Sequence, residues 1–299
     1  MENSPSLRAA LISCTEHLEQ SGVDAPRLSA ELLLAKVLGL DRNALLKRLI
    51  LEPEVLPEDA LHEFVRLIAR RAEGEPAAYI LGYKEFYGRE FTVSPNTLIP
   101  RPETELLVDL ALEYAQSVDT DTSPVFADLG TGTGCIAVTL ALELSHWRGI
   151  AVEKSPAALR IARANGVRLG AESLCLALAD FRTPPVPPAS LDLLLSNPPY
   201  VSELEYRTLS REVRAFEPKS ALVPCSESLL PTGASGLEDA EALIDLARAL
   251  LKSGGLLLME IGCTQGPVLL SRLQGPDWTE ARLHKDLAGL DRVLAAQRL

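Results

Sequence analysis

The sequence predicts an α/β fold built on a mostly parallel sheet, with a small helical bundle preceding it. A short apolar strand at residues 124–129 runs through a glycine-rich loop into a helical pattern that begins at Cys135. Further short apolar runs alternate with helical patterns towards the C-terminus, as in parallel sheets that are covered by helices on both faces. Before residue 75, by contrast, apolar residues recur only at helical spacing.

The N-terminal segment is expected to contain helices only. Its apolar residues recur at helical spacing in three stretches, residues 7–18, 28–38 and 61–68. Three glycines are expected to end helices, namely Gly22, Gly39 and Gly74. The segment shows no pattern with chemistry of its own, so we expect either a structural cap or a docking surface for a protein substrate. The basic run of Arg66, Arg70 and Arg71 is expected to be a solvated helix face rather than a binding patch.

A hairpin and a helix are expected between this segment and the glycine-rich loop. Residues 84–93 have the pattern of two short strands with Gly88 at the turn, and residues 104–116 show helical spacing. We therefore expect two domains. Residues 1–80 form the bundle, and residues 81–299 form a larger domain that includes the hairpin.

The glycine-rich loop indicates a nucleotide-like ligand. The strand at residues 124–129 contains the acid Asp128, and Gly130, Gly132 and Gly134 follow in strict alternation. Glycines are required where backbone approaches a ligand closely or adopts a positive φ. A dinucleotide site has glycine or alanine where this chain has Cys135, and the Gly-Lys-Ser/Thr of a phosphate-binding Walker loop is absent. The loop suits instead the zwitterionic methionine end of S-adenosylmethionine.

The next two strands are expected to end in residues that bind the rest of such a ligand. Residues 149–152 form a strand followed by Glu153, whose carboxylate can accept both ribose hydroxyls. Ser155 and Pro156 then begin a helix that runs to about Asn165. A third strand at residues 174–178 precedes Asp180 and Phe181. Asp180 can bond the adenine amino group, and the ring of Phe181 can cover the adenine face. The alternative for this pair is an ordinary loop. The alternative for Glu153 is a solvated acid at the end of a strand.

The tetrapeptide Asn197-Pro198-Pro199-Tyr200 is the most informative stretch of the chain. It follows an apolar strand at residues 191–196, which two consecutive prolines cannot continue. The Asn197 amide oxygen and the Pro198 carbonyl are two neighbouring acceptors, which suits holding a planar –NH2 group by both hydrogens. The alternative is a proline turn with a capping Asn. Since ligands bind at the carboxyl ends of parallel strands, we expect the glycine loop, Glu153, Asp180 and Asn197 to form one site.

The C-terminal third is expected to complete the sheet. It is predicted to contain a helix at residues 237–251, closed by Gly254 and Gly255, a central strand at residues 256–261 and an edge strand at residues 292–296.

Bulk properties exclude several classes of protein. The net charge of −12 argues against broad binding to a phosphate backbone. No apolar run is long enough for a transmembrane helix, and the N-terminus lacks the pattern of a signal peptide. The five cysteines are scattered without a C-x-x-C pair, so we expect reduced thiols in a cytoplasmic setting. The four histidines lack ligand spacing, and we expect no metal site.

The glycine loop together with Asn-Pro-Pro-Tyr resembles the class I amino-methyltransferases. The resemblance is closer to one family within this class, the release factor glutamine N5-methyltransferases or PrmC/HemK family. Three stretches carry it, residues 73–82, 85–88 and 98–105. The last of them, Leu-Ile-Pro-Arg-Pro-Glu-Thr-Glu, is the most specific to that family. The similarity spans nearly the whole chain. It departs from the family at Glu153, where aspartate is commoner, and in the loop at residues 230–236.

The resemblance implies a Rossmann-like class I methyltransferase fold and S-adenosyl-L-methionine as cofactor. It implies these cofactor-binding residues: Asp128, Gly130, Thr131, Gly132, Thr133, Gly134, Glu153, Asp180, Phe181 and Asn197. Catalysis is expected from Asn197, Pro198 and Tyr200, and substrate binding from the same three residues with Pro199. The expected substrate is the glutamine of the Gly-Gly-Gln loop of class 1 peptide chain release factors, with the bundle as docking surface and without direct nucleic-acid binding.

Two alternatives remain open at the level of sequence. The same acceptors suit the amino group of adenine in DNA or RNA, although a basic recognition domain would then be expected. A cofactor-binding scaffold without catalysis is the other, and the intact Asn197 and the three loop glycines speak against it.

Overall fold

A computed structural model describes residues 5–51, 54–119, 123–224 and 235–299. The chain divides into two compact units. The first contains residues 1–83 together with residues 211–216, and the second contains residues 84–210 and 217–299. Most of the loop at residues 230–236, and Cys225, lie outside the described residues.

The N-terminal unit is a helical bundle. Its first five helices are α1 (Leu7–Gln20), α2 (Pro26–Leu38), α3 (Arg42–Leu51), α4 (Glu58–Ala72) and α5 (Ala77–Leu81). Helix α1 begins at Ser6, whose hydroxyl accepts the Ala9 N–H, and α2 ends at Gly39 in the left-handed conformation. Fully buried leucines from α1, α2 and α3 pack with Phe64 of α4 in one apolar core. Helical spacing therefore predicted the parts of this core that come from α1, α2 and α4, whereas α3, which contributes Leu45 and Leu49, was not predicted.

Arg71 is an exception to the predicted solvated face of α4. Its side chain is only 4% exposed, and its guanidinium forms an ion pair with Glu212 at 2.8 Å. It also donates to the carbonyl of Glu75 at 3.0 Å. The prediction was wrong for Arg71 because Glu212 comes from residues 211–216, far along the chain. Arg66 and Arg70 pair with Glu63 and Glu75 and are more exposed.

The second unit begins with a hairpin and continues as alternating strands and helices. Strands β1 (Tyr83–Phe86) and β2 (Arg89–Thr92) are joined by Tyr87 and Gly88, which both have positive φ, as a two-residue hairpin turn requires. The larger sheet contains β3 (Val125–Leu129), β4 (Arg148–Glu153), β5 (Leu174–Leu178), β6 (Leu191–Ser196), β7 (Leu251–Glu260), β8 (Trp278–Lys285) and β9 (Asp291–Arg298). The helices between them are α6 (Glu105–Ala115), α7 (Cys135–Glu143), α8 (Pro156–Leu169), α9 (Glu203–Tyr206), α11 (Glu238–Leu250) and α12 (Gly266–Arg272). Helix α10 (Arg211–Phe216) belongs to the N-terminal unit.

The strand order of the sheet creates a crevice at its centre. The order is β5-β4-β3-β6-β7-β9-β8; strands β3 to β7 run parallel, and β9 is antiparallel to both of its neighbours. The chain first adds strands on one side of β3 and then returns to the other side with β6. At such a reversal the loops after neighbouring strands separate, which leaves room for a ligand.

Apolar layers cover both faces of the sheet. Successive residues of a strand face opposite sides, so Leu193 and Leu194 of β6 belong to two different cores. Helices α6 and α7 contribute to the first core and α11 and α12 to the second. Burial on both sides explains why β3 and β6 read as nearly continuous apolar runs.

The C-terminal predictions need correction. The strand predicted as an edge is β9, which lies inside the sheet, and the edge is formed by β8, whose polar sequence gave no strand signal. Gly254 and Gly255 lie within β7, and α11 ends at Leu250 because Leu251 is already extended. Helix α8 continues past Asn165 to Leu169 and ends at Gly170. Among the described residues, no helix combines the length and apolar character needed to cross a membrane.

Candidate active site

A cavity of about 330 Å³ lies at the carboxyl ends of β3, β4 and β6. Its walls come from the glycine loop, the residues after β4 and β6, and two further segments, residues 95–104 and 218–221. Of the predicted site residues, the cavity is lined by Gly130, Thr131, Gly132, Thr133, Glu153, Phe181, Asn197 and Pro199. All of these belong to the second unit, so the fold brings most of the predicted site together.

The three loop glycines have two different roles. Gly130 and Gly132 have φ of +83° and +57°, and a Cβ built on either would meet no atom within 4 Å. Gly134 also has positive φ, but a Cβ there would lie 3.2 Å from the Cβ of Ala162 and 3.3 Å from Cγ2 of Val138. The first two glycines therefore leave open space beside the backbone for a ligand, and the third allows α7 to approach α8.

Asp128 supports the loop from inside the protein. It is fully buried, and its Oδ2 accepts a hydrogen bond of 2.6 Å from the Thr131 hydroxyl. Among the described residues, no donor is bonded to its Oδ1. Burial raises the pKa of the Asp128 carboxyl to about 7, although the hydrogen bond from Thr131 acts in the opposite direction. The cavity-lining residues do not include Asp128.

Glu153 lies where a strand-end acid was predicted. It is 9% exposed, and its two oxygens accept the N–H groups of Gly132 at 3.0 Å and Ser155 at 2.8 Å. Each carboxylate oxygen can accept more than one hydrogen bond. Glu153 therefore retains acceptor capacity on the side that lines the cavity, while its orientation is fixed by the loop and by the start of α8.

The adenine corner, meaning the part of the site around Asp180 and Phe181 that was predicted to bind adenine, is only partly as expected. Phe181 is buried and lines the cavity, and the Arg182 guanidinium lies over its ring at 4.8 Å from the centroid. Asp180 is exposed, and its Oδ1 accepts the backbone N–H of Arg182 at 2.9 Å. The acid that lines the cavity near this corner is Asp239, which is fully buried and pairs with Arg182. Sequence spacing gave no signal for Asp239, because it comes from the first turn of α11.

Asn197 is held by one side of its amide. Its Nδ2 donates to the Thr104 hydroxyl at 3.3 Å, and among the described residues no donor is bonded to its Oδ1. Pro198 is buried, whereas Asn197 and Pro199 line the cavity. The Tyr200 hydroxyl donates to Oε1 of Glu260 at 3.3 Å. Burial, with the nearby Glu260 carboxylate, raises the pKa of Tyr200, so its phenol stays protonated.

Comparison with known proteins places the chain in a family. A model described as the PrmC N-terminal domain matches residues 9–82, and one described as the methyltransferase small domain matches residues 108–216. A release factor glutamine methyltransferase of Nitratidesulfovibrio vulgaris is 47% identical over 298 residues, which cover 98% of this chain and 95% of the relative. One of Koribacter versatilis is 40% identical over 294 residues, 98% of this chain and 99% of the relative.

The chain belongs to the release factor glutamine methyltransferase family. Among solved structures, an RNA methyltransferase of Salinibacter ruber in complex with S-adenosyl-L-homocysteine shares 20% identity at a TM-score of 0.39, over 66% of this chain and 91% of that one. S-adenosyl-L-methionine is the cofactor of this methyltransferase, as its glycine loop predicted. The open space beside Gly130 and Gly132 and the spare acceptor capacity of Glu153 fit such a molecule.

Besides Asp239, two further residues of the methyltransferase's site were missed by sequence reasoning. Thr104 is buried and donates its hydroxyl to Oε2 of Glu260 at 2.7 Å. Glu260 is 1% exposed; burial raises the pKa of its carboxyl, and the bonds from Thr104 and Tyr200 and the charge of Arg292 oppose that rise. The strand-end rule that found Glu153 would also have found Glu260, because it follows the apolar run at residues 256–259.

The segment at residues 95–104 is held in place by Glu217. The Oε2 of this buried acid accepts the N–H of Ile99 at 3.1 Å, and its Oε1 accepts from Arg101. Arg101 and Thr104 then line the cavity together with Asn197. The proline-rich stretch that carried the family resemblance is therefore a wall of the site.

Proposed function

We propose that this chain transfers a methyl group from S-adenosyl-L-methionine to the side-chain amide nitrogen, N5, of the glutamine in the Gly-Gly-Gln motif of class 1 peptide chain release factors, in the cytoplasm. The observation that carries the proposal is the orientation of Asn197. Its amide is anchored through Nδ2 to Thr104, so its oxygen is the atom available to a substrate. Curated relatives that match nearly the full chain bear the name of this activity.

The chemistry requires a weak nucleophile to be held in one orientation. An amide nitrogen is weak because its lone pair is delocalised into the carbonyl. Asn197 Oδ1 and the Pro198 carbonyl accept the two hydrogens of the glutamine –NH2 group, and no donor among the described residues occupies either acceptor. These acceptors also favour the positive charge that develops on the nitrogen. Pro199 borders the flat amide, and Tyr200 supports the site from outside the cavity through its bond to Glu260.

The cofactor is held by the elements around the glycine loop. When bound, it supplies an electrophilic methyl group on a sulfonium centre. The backbone at Gly130 and Gly132, with Thr131 and Thr133, cradles its methionine end, and Glu153 accepts the ribose hydroxyls.

The remaining predicted cofactor residues act around that cradle. Phe181 covers one face of the adenine, and its exposed neighbour Asp180 accepts the adenine amino group. Asp128 fixes the loop through Thr131, and Gly134 lets the two flanking helices meet.

The substrate is a protein rather than a nucleic acid. A chain with a net charge of −12 is poorly suited to many phosphate contacts. The N-terminal bundle, in contrast, carries exposed apolar side chains that suit a protein surface: Ile12, Ile50, Leu51 and Val55. We therefore assign the docking of the release factor to this unit.

Transfer of labelled methyl groups tests the function directly. Intact release factor, DNA and RNA are offered side by side, and we expect label only in the release factor, with mass spectrometry placing one methyl on the glutamine side chain. Asn197→Ala removes a preorganised acceptor, which should lower turnover on the order of a hundredfold or more. Calorimetry should show little change in cofactor affinity.

The exposed Gln274 of the second unit provides the matched control, because Gln274→Ala removes a side-chain amide outside the cavity and should leave turnover unchanged. Methylation of DNA adenine beside an unmodified release factor would overturn the proposal. Nearly full turnover by Asn197→Ala would overturn the role of Asn197.

A further inference from the structure

A buried hydrogen-bond chain ends at the amide of Asn197. Glu260 accepts from the Thr104 hydroxyl at 2.7 Å, and the same hydroxyl oxygen accepts from Asn197 Nδ2 at 3.3 Å. Glu260 and Thr104 are 1% and 2% exposed, so water does not compete for the bond between them. These hydrogen bonds connect three separate segments of the protein: the end of β7, the proline-rich wall and the loop after β6.

The hydrogen bonds from Asn197 to Thr104 and from Thr104 to Glu260 determine which way the Asn197 amide points. A hydroxyl has one proton to donate, and an ionised carboxylate can only accept. Because Thr104 gives its proton to Glu260, its oxygen can only accept from Asn197, and therefore bonds Nδ2. The amide oxygen of Asn197 is thereby placed on the opposite side.

Glu260 has partners on both of its oxygens, and these partners oppose the rise in pKa that burial causes. Its other oxygen accepts the hydroxyl of Tyr200 at 3.3 Å, and Arg292 lies near enough for its charge to stabilise the carboxylate. Arg292 is itself held by Asp286, whose Oδ2 accepts from its Nε at 3.1 Å and its Nη2 at 3.0 Å. A fixed cation and two hydroxyl donors therefore surround an acid that has no access to water.

We propose that Glu260 and Thr104 are positioning residues that lock the Asn197 amide with its oxygen towards the substrate. The proposal rests on the proposed function, since the locked oxygen matters only if it accepts a hydrogen from the substrate –NH2 group. A flipped Asn197 would present its own –NH2 group to that of the substrate, and two donors would face each other. Selection of one amide orientation is thus the contribution of the buried acid to methyl transfer.

Substitutions at Thr104 separate the hydroxyl from the shape of the side chain. Thr104→Val keeps the branched shape and removes the hydroxyl, and Thr104→Ser keeps the hydroxyl. We expect Thr104→Val to lower kcat for release factor methylation about tenfold, the effect of losing one buried hydrogen bond. The Kd of S-adenosyl-L-methionine should stay near the wild-type value, whereas the melting temperature should fall because the buried Glu260 loses a donor. Thr104→Ser should retain most of the turnover.

A double-mutant comparison shows whether Thr104 acts through Asn197. In the Asn197→Ala background, Thr104→Val should cause no further loss, because no amide remains to be oriented. Glu260→Gln provides a second route in case Thr104→Val folds poorly. A Gln side chain can donate to the Thr104 oxygen. The Thr104 hydroxyl can then donate to the oxygen of Asn197, which no longer faces the substrate. We expect kcat to fall several-fold at an unchanged cofactor Kd.

The outcomes distinguish this proposal from the proposed function. Failure of the wild-type protein to methylate the release factor contradicts the proposed function and, with it, this role. If the wild type is active, a wild-type kcat in both Thr104→Val and Glu260→Gln overturns the positioning role alone. So does an equal loss from Thr104→Val with and without Asn197.

Discussion

Asp128 shows how one buried acid can link the cofactor loop to stability. Its carboxyl lies wholly inside the protein with one hydroxyl partner, Thr131. Its pKa of about 7 in the folded protein exceeds the ordinary value of 3.8. The folded chain therefore binds this proton more tightly than the unfolded chain. The stabilisation is fully present below the ordinary pKa and is lost as the pH rises through the folded-state value.

Because ionisation of Asp128 lowers stability at high pH, we can predict the effect of Asp128→Asn, whose side chain cannot ionise. The variant should be more stable than wild type at pH 8, by on the order of a few kcal/mol, since each unit of pKa difference corresponds to about 1.4 kcal/mol. The gain should shrink towards pH 5. Thermal melts at several pH values measure it, with Asp245→Asn, which removes an exposed carboxylate, as the matched control. A gain for Asp128→Asn that is the same at pH 5 and pH 8 would contradict the argument.

Sequence reasoning found the residues that follow a strand and missed those that approach from elsewhere. Glu153 and Asn197 were predicted because a strand end is visible in the sequence and its position in a parallel sheet is fixed. Thr104 and Asp239 reach the cavity from the start of a helix. Their position depends on how the helix packs, which hydrophobic spacing does not specify. Glu260 follows an apolar strand just as Glu153 does, so the same strand-end rule extends to it.

The glycine loop shows how similar residues in one element can have different roles. Gly132 borders open space, whereas Gly134 lies against α8. The alternation of the glycines predicted the loop, but it did not distinguish these roles. A sequence pattern fixes the path of the backbone and leaves open which neighbour comes close to it.

Alanine substitutions should separate the two roles. Gly132→Ala places a methyl group in the open space, and we expect cofactor affinity to fall at least roughly tenfold with a stability loss of about 1 kcal/mol from the left-handed backbone. Gly134→Ala adds a close contact with Ala162 to the same strain, so its melting temperature should fall further. Calorimetry and thermal melts compare the variants. A greater loss of stability in Gly132→Ala than in Gly134→Ala would contradict the assignment.

The strands at the C-terminal end show a similar limit at the scale of elements. Each of β3 and β6 was predicted nearly to the residue because it is buried on both faces. Strand β8 lies at the sheet edge and carries Glu280, Arg282 and Lys285, so its sequence has no continuous apolar run. Without β8 as a visible neighbour, β9 was taken for the edge. The fold class was nevertheless predictable, because it depends on the buried strands.

At the scale of the whole molecule, the N-terminal unit is completed by residues from the middle of the chain. Helix α10 belongs to this unit, and Glu212 on it pairs with the buried Arg71. Helical spacing predicted the bundle from the first residues alone. It could not predict α10, because an ion pair between distant residues leaves no periodic pattern.

Glu212→Ala should therefore loosen the bundle. It leaves the buried guanidinium of Arg71 without its carboxylate, which should cost about 1–3 kcal/mol. Hydrogen exchange of peptides covering α4 should become roughly tenfold faster or more. Glu63→Ala, which breaks the exposed pair with Arg66, should change exchange little, since solvent screens exposed pairs and they contribute little to stability. Equal effects of the two variants would show that α10 does not support the bundle through this pair.

The position of α10 in the sequence also determines when the N-terminal unit can complete its folding during translation. Domains generally fold in the order in which they leave the ribosome, yet this N-terminal unit still lacks one of its helices when residue 83 has emerged. Residues 84–210, with β3 to β6 of the sheet, must be translated before Glu212 can reach Arg71. The first part of the polypeptide to be made is therefore not the first to be finished, and a nascent chain arrested before residue 211 carries a bundle whose buried arginine still awaits its carboxylate.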